Sequence, residues 1–234
     1  MSQTKVLSLW LEGPMQSWGD RSRFGKRTTD EYPAKSGVVG LLFAALGWGG
    51  SQVERLEKLL GLKMSAYRFV RKELTSRLVD FQVVGHGYDV SDPWENLLVP
   101  KTMLGKKPAG KGTKVTFREY LQDACFAVFL EVPSDWEIEI DRGLRKPVWD
   151  LYLGRKCCVP SEPVYHGLFP TEDEARTALM AYVATRSLRL VDVMFDFEEG
   201  DEMAESFVRH DVPLAFGEEK KYLERRVSVK RIFE

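Results

Sequence analysis

The sequence predicts an α+β fold, a modified ferredoxin-like unit carrying a long inserted basic segment and followed by a C-terminal α/β extension. Three observations predict it. The early elements run strand, helix, strand, strand, strand, helix, close to a β-α-β-β-α-β plan. Before the third core strand of that plan lies Gly85 to Thr116, with five glycines, three prolines and most of the clustered lysines, too long and polar for an ordinary turn. Beyond residue 158 a further helix signal is followed by two more strand candidates. The expected division is therefore residues 1–158, with the insertion at about 85–116, and residues 159–234 packed against it.

The first strand is Val6-Leu7-Ser8-Leu9-Trp10-Leu11, which enters Gly13-Pro14-Met15-Gln16-Ser17-Trp18-Gly19. A basic loop with Arg21, Arg23, Lys26, Arg27 and Lys35 then leads into Ser36-Gly37-Val38-Val39-Gly40-Leu41-Leu42-Phe43-Ala44-Ala45-Leu46-Gly47. That helix is apolar on nearly all sides and reads as a buried core helix, with Gly37 and Gly40 allowing close backbone approach. Two readings of its start stay open. Free backbone N–H groups from Ser36 onward, with Lys35 just outside, form a site for a phosphate. A Gly-rich packing helix capped by Ser36 accounts for the same residues.

Ser51-x-x-Glu54 reads as a capping box opening a short helix through Val53, Leu56, Leu59 and Leu60, stopped at Gly61. Met64 to Val70 and Leu78 to Val84 read as strands, the second alternating Val79, Phe81 and Val83 with Asp80 and Gln82. Ala124 to Val132, rich in Phe and Val, is a core strand ending at Pro133. Ser134 to Arg145 forms a helix with Trp136, Ile140 and Leu144 on one face, ended by Pro147. Tyr152 to Cys158 is the candidate fourth strand. Thr171-x-x-Glu174 opens a helix with Ala175, Ala178, Leu179, Tyr182 and Val183 on one face, and Leu188 to Phe197 and Val227 to Phe233 are strands.

Formal net charge is -1, which by itself argues against an obligate nucleic-acid binder, yet the charge is segregated. Between Asn96 and Arg118 lie Lys101, Lys106, Lys107, Lys111, Lys114 and Arg118 with no acid among them; Asp196 to Glu205 holds six acids and no base. Such a distribution gives a local basic footprint on a neutral molecule. The three cysteines, two of them adjacent, suggest no disulfide framework and fit a reducing cytoplasm. No apolar segment reaches about 18 residues and no cleavage site follows the first strand, so neither membrane insertion nor secretion is expected.

In the insertion, lysines can neutralise phosphates while Met103 or Leu104 wedges between bases; a solvated loop kept soluble by its lysines is the other reading. The histidines, His86, His166 and His210, form no Ser/His/Asp, Cys/His or metal-ligand spacing. Cys157 and Cys158 with His166 read as packing rather than ligation, and the acidic run as solvated surface. No Walker A or Gly-x-Gly-x-x-Gly pattern occurs, so no cofactor or metal is expected. The core strand Ala124-Cys125-Phe126-Ala127-Val128-Phe129-Leu130 lacks the basic-Gly-aromatic consensus of RNA-recognition domains, so any RNA is held away from an ordinary sheet face.

Gly13 to Gly19 followed by Tyr32-Pro33-Ala34-Lys35-Ser36-Gly37-Val38-Val39-Gly40-Leu41-Leu42 resembles the opening of the CasD family, the CRISPR Cascade subunit that holds the 5′ handle of the guide RNA. The likeness extends to Phe117-Arg118-Glu119-Tyr120-Leu121-Gln122-Asp123-Ala124-Cys125-Phe126, Lys146-Pro147, Tyr152-Leu153-Gly154-Arg155-Lys156-Cys157 and Arg209-His210-Asp211-Val212-Pro213. The resemblance implies an RNA-recognition-type palm with an inserted thumb and a non-catalytic place at one end of a filament of backbone subunits. It also implies contact with the large PAM-reading subunit, and with target DNA only indirectly. By motif position, Gln16, Trp18, Arg23, Arg27, Lys35 and Ser36 fall near the handle. The thumb supplies Lys101, Met103, Leu104, Lys106, Lys107 and Lys111, with Arg118 at its base and Arg155 as a further phosphate contact. Trp18 either stacks on a base or is buried beside the first helix.

Relatives in another CRISPR subtype cut the precursor guide with a Tyr and a Lys-His pair. No Lys-His pair exists here, so a metal-independent endoribonuclease would have to draw on His86, Tyr88 and Lys101. A protein-interaction module docking its lysines on an acidic partner is the third reading.

Overall fold

The computed structural model describes residues 4–19, 25–71, 76–84, 91, 114–197 and 204–232. Its elements are β1 (Thr4–Gln16), β2 (Trp18–Gly19), β3 (Lys26–Arg27), β4 (Thr29–Asp30), α1 (Lys35–Leu46), α2 (Val53–Glu57), β5 (Met64–Val70) and β6 (Arg77–Val84). There follow β7 (Lys114–Pro133), α3 (Glu137–Arg145), β8 (Tyr165–Phe169), α4 (Glu172–Ala184), β9 (Arg189–Asp196), β10 (Glu205–Ala215) and β11 (Lys221–Arg231). The result is a mixed α/β architecture around one large antiparallel sheet.

Within the described residues nine strands form that sheet, with β10-β11-β9-β5-β7-β1-β8 bonded in order and β3 and β6 attached to β7. Among the described residues only β3 lies parallel to its neighbour. The length of β7 explains the design: its C-terminal half pairs with both β1 and β5 in the core, while its N-terminal half leaves the core as a ribbon with β6.

Both faces of the sheet are covered, which is why β1 is apolar on successive residues rather than alternating. Leu7, Leu9 and Leu11 point to the layer containing α1 and α3, with Val38, Leu42, Phe43, Ile140 and Leu144. Val6 and Trp10 point to the other layer, where α4 brings Ala175, Leu179 and Val183. Thr171 caps α4 by accepting the Glu174 N–H at 3.3 Å, as its sequence spacing requires.

Several expectations are corrected. Tyr152–Cys158 is not a strand: Leu153 N–H donates to Cys158 O and Cys158 N–H to Arg155 O, closing a turn. The edge beside β1 is filled instead by β8, whose Val6↔Phe169 and Leu7↔Leu168 pairing uses residues with weak strand alternation. Ser36 does not cap α1, which starts at Lys35 after Ala34 without a side-chain cap. Ser51 does not cap α2 either, because Gln52 precedes that helix in a left-handed conformation. β10 was not foreseen, and its bulges near Arg209 and Pro213 interrupt the alternation that would have marked it. Of the insertion, residues 85–90 and 92–113 lie outside the described residues, whereas Lys114–Thr116 already belong to β7. Among the described residues no helix is long and apolar enough to cross a membrane.

Candidate nucleic-acid interface

The start of α1 is the centre of a buried polar assembly that draws on both ends of the chain. The Lys35 backbone N–H donates to Asp211 Oδ2 at 2.9 Å. The carboxylate of Asp211 also accepts from Arg225 Nε at 2.7 Å and Nη2 at 3.0 Å, a bidentate pair, and Arg225 Nη1 meets Asp196 Oδ1 at 2.6 Å. Asp196 in turn takes the Met64 N–H at 2.9 Å. Arg209, 5% exposed, reaches Asp30 at 2.8 Å and the Tyr32 carbonyl at 3.2 Å. A carboxylate of the protein itself thus sits at the helix start where the sequence suggested a phosphate.

Electrostatics follow from that burial. Desolvation works against the charged form of Asp211, yet the hydrogen-bonded Arg225, with Arg209 nearby, outweighs it and holds the carboxyl below its usual range. For Lys35 burial wins, lowering its pKa despite Asp196 nearby, and its ammonium donates to the Leu62 carbonyl. Asp196 therefore is not the solvated surface expected of the acidic run.

Gln16 and Trp18 lie in the same buried frame, Trp18 taking the second of the two places open to it, beside the first helix. Gln16, 0% exposed, donates Nε2 to the carbonyls of Leu11 at 3.0 Å and Ala124 at 2.7 Å, and its Oε1 accepts from Trp18 Nε1 at 3.1 Å. Trp18 is 1% exposed, its ring lying on α1 so that a Cβ at Gly37 would come within 3.0 Å of it. Gln16, Trp18 and Lys35 hold the scaffold and present no free polar group to a ligand. Gly40 makes no close approach; the tight contacts between backbones are at Gly13 against Val159 and Gly154 against Ser17.

Gly154 explains the turn sequence that precedes Arg155. Its φ of +93° is a conformation L side chains rarely adopt, and a Cβ there would overlap the Ser17 carbonyl oxygen. Ser17 N–H donates to Leu153 O at 3.1 Å, so this turn is fastened directly to the N-terminal block. Arg155 then reaches across: Nη1 donates to Glu119 O at 3.1 Å, Nη2 to Arg27 O at 2.8 Å, and the guanidinium lies 4.9 Å from the Tyr120 ring centroid. Rather than standing free for a phosphate, Arg155 ties β3 and β7 together. Arg27 is thereby fixed through its backbone, with its own side chain exposed.

Of the other expected contacts, Ser36 is partly exposed in a cleft of about 620 Å³ that also borders Gly19, Asp30, Arg209, His210 and Tyr222. Arg118 lies half-buried on β7 at the base of the ribbon. Arg23, Lys101, Met103, Leu104, Lys106, Lys107 and Lys111 lie outside the described residues, as do His86, Tyr88 and Lys101 of the ribonuclease reading. The two described histidines are held elsewhere: His210 pairs with Glu224 at 2.7 Å, and His166 packs on Tyr182 at 4.5 Å between ring centroids. Sequence reading missed the Arg209–Asp211–Arg225–Asp196 network. Its signals were the Arg209-His210-Asp211-Val212-Pro213 motif and the charge at alternate positions, Arg209 and Asp211, running into the apolar Val212-Pro213-Leu214.

The face of β1, β5 and β7 that an RNA-recognition domain leaves open is packed under α4. A family model described as CRISPR-associated protein (Cas_Cas5) matches residues 6–228. The chain is 32% identical over 181 residues to the CRISPR system Cascade subunit CasD of Escherichia coli (strain K12), covering 74% of this chain and 75% of that protein. A solved chain of a CRISPR RNA-guided surveillance complex superposes with a TM-score of 0.68 at 29% identity, covering 97% of this chain and 89% of the other. A crystal structure of a Cas protein gives 0.61 at 30% identity, covering 97% and 94%.

Proposed function

The chain belongs to the Cas5 family of CRISPR-associated proteins, and from that premise we propose that it is a Cascade subunit that grips the 5′ handle of the guide RNA without cutting it. In this reading β1, α1, β5, β7, α3 and β8 are the ferredoxin-like palm and the lysine-rich insertion is its thumb. β9 to β11 are the extension that completes the α1 start. Its partners are the guide RNA, the backbone filament it caps and the large PAM-reading subunit, in the cytoplasm, with target sequence read by guide pairing.

The observation that carries the reading is the Arg155 clamp. One side chain holds the carbonyls of Arg27 and Glu119, so the basic loop and the root of the lysine insertion are set side by side on a rigid turn. Phosphate contacts made by such surfaces position a strand irrespective of its sequence. The test is to incubate the purified chain, without metal, with end-labelled guide RNA carrying or lacking the handle, on native and denaturing gels. Handle-dependent binding with intact RNA is expected. A discrete cut would overturn the non-catalytic role, and equal binding of both RNAs would overturn handle recognition.

A further inference from the structure

The β6–β7 ribbon is built inside out. On one face Val79 is 55% exposed, Phe81 57%, Val115 41% and Phe117 41%, whereas Asp80, Gln82, Thr116 and Arg118 on the opposite face are all half-buried. Strand pairing puts Phe81 directly across from Phe117, with ring centroids 5.5 Å apart and planes at 60°. Water-facing strand surfaces ordinarily carry the polar residues, so an aromatic pair flanked by two β-branched residues marks a contact surface.

We propose that this face is a stacking platform for unpaired bases of single-stranded RNA, an inference that rests on the RNA-binding reading and adds a second, uncharged component to it. Three features favour RNA over a protein partner. Lys26 on β3 lies beside Phe117, and Arg77 two residues before Val79 on the same side, with side chains 66% and 42% exposed. Both approach Glu119, at 3.6 and 3.4 Å, and Arg77 also meets Glu31 at 3.2 Å, which holds them at the platform's edge. β7 also runs straight out of the insertion, where no acid occurs between Asn96 and Arg118, the three acids Asp89, Asp92 and Glu95 lying on the side that follows β6. A flat aromatic surface edged by cations and continuous with a lysine-rich segment matches a polyanion with planar bases. Ring faces accept any base, so the platform adds affinity without reading sequence.

The experiment measures binding of a fluorescent handle-bearing RNA to the full chain across a salt series, for wild type, Phe81→Ala, Phe117→Ala, the double variant and Phe117→Trp. Each alanine is expected to weaken binding by roughly 5- to 150-fold, the range of one lost stacking contact, with the salt slope unchanged. Phe117→Trp should retain binding, which a merely structural role for the ring does not require. Melting temperatures should stay at the wild-type value, because the rings face solvent. Wild-type affinity in the double variant would overturn the platform while leaving the RNA-binding reading intact. If the wild-type chain binds no RNA, both fall. Loss of co-assembling subunits with RNA affinity preserved would give the face to a protein partner instead.

Discussion

At the start of α1, Lys35, Asp211 and Arg209 are each no more than 5% exposed, whereas on the β6–β7 ribbon Phe81 and Phe117 are 57% and 41% exposed. One region hides charge and the other displays aromatic carbon. The first is held by β10 and β11, which bring Asp211 and Arg225 to the helix start so that the buried carboxylate meets a guanidinium, while the Lys35 ammonium is held by the Leu62 carbonyl. The second stands clear of the core because β7 outruns its neighbours by half its length. The difference teaches that the most recognisable motif residues, Gln16, Trp18 and Lys35, build the frame, which leaves loops and edges around it as the surfaces open to a ligand.

The comparison breaks most severely at Gly154. Gly154→Ala combines a strained φ with overlap on the Ser17 carbonyl, and a loss above ~4 kcal/mol is expected, read as an unfolded or insoluble chain. Near-wild-type chemical denaturation of that variant would contradict the docking of the turn on the N-terminal block.

Next is Asp211→Ala, which strands Arg225 and the Lys35 N–H and should cost ~3–5 kcal/mol in urea unfolding at neutral pH. Because the folded-state pKa of Asp211 is depressed, its contribution is full above the unfolded value of about 3.9 and is lost as pH falls through the folded value. The stability gap between wild type and Asp211→Asn should therefore narrow in acid below that point. A gap that stays constant from neutrality into strong acid would remove the Arg225 pairing as its cause.

Arg155→Ala removes a cation from two carbonyls and from the Tyr120 ring, for which ~1–3 kcal/mol of stability is expected. Binding of handle RNA should weaken while its salt slope stays put, because Arg155 positions the loop; a shallower slope would make it a direct phosphate contact. With the smallest expected effect, Lys106→Ala with Lys107→Ala should make the slope of log K against log salt shallower by about 1.4. An unchanged slope removes these lysines from the contact surface.

Much of this was legible along the chain, because strands with an apolar period and a Thr171-x-x-Glu174 box carry their own local instructions. Met64–Val70 falls at the bounds read from the sequence, and the charge segregation is a matter of counting residues. The position of the strand beside β1 was not legible, since Tyr165–Phe169 is recruited by the free edge of β1 and not by its own propensity. Nor was the fate of the α1 start. A lysine, a serine and free N–H groups look alike whether a phosphate or Asp211 completes them, and Asp211 is 176 residues away in the chain. Sequence alone determined the main helices and the strands with a clear apolar pattern, the charge segregation and the family, because those are local or additive properties. Tertiary structure decided which charges are buried and which rings face water, because burial depends on partners that only the folded sheet brings together.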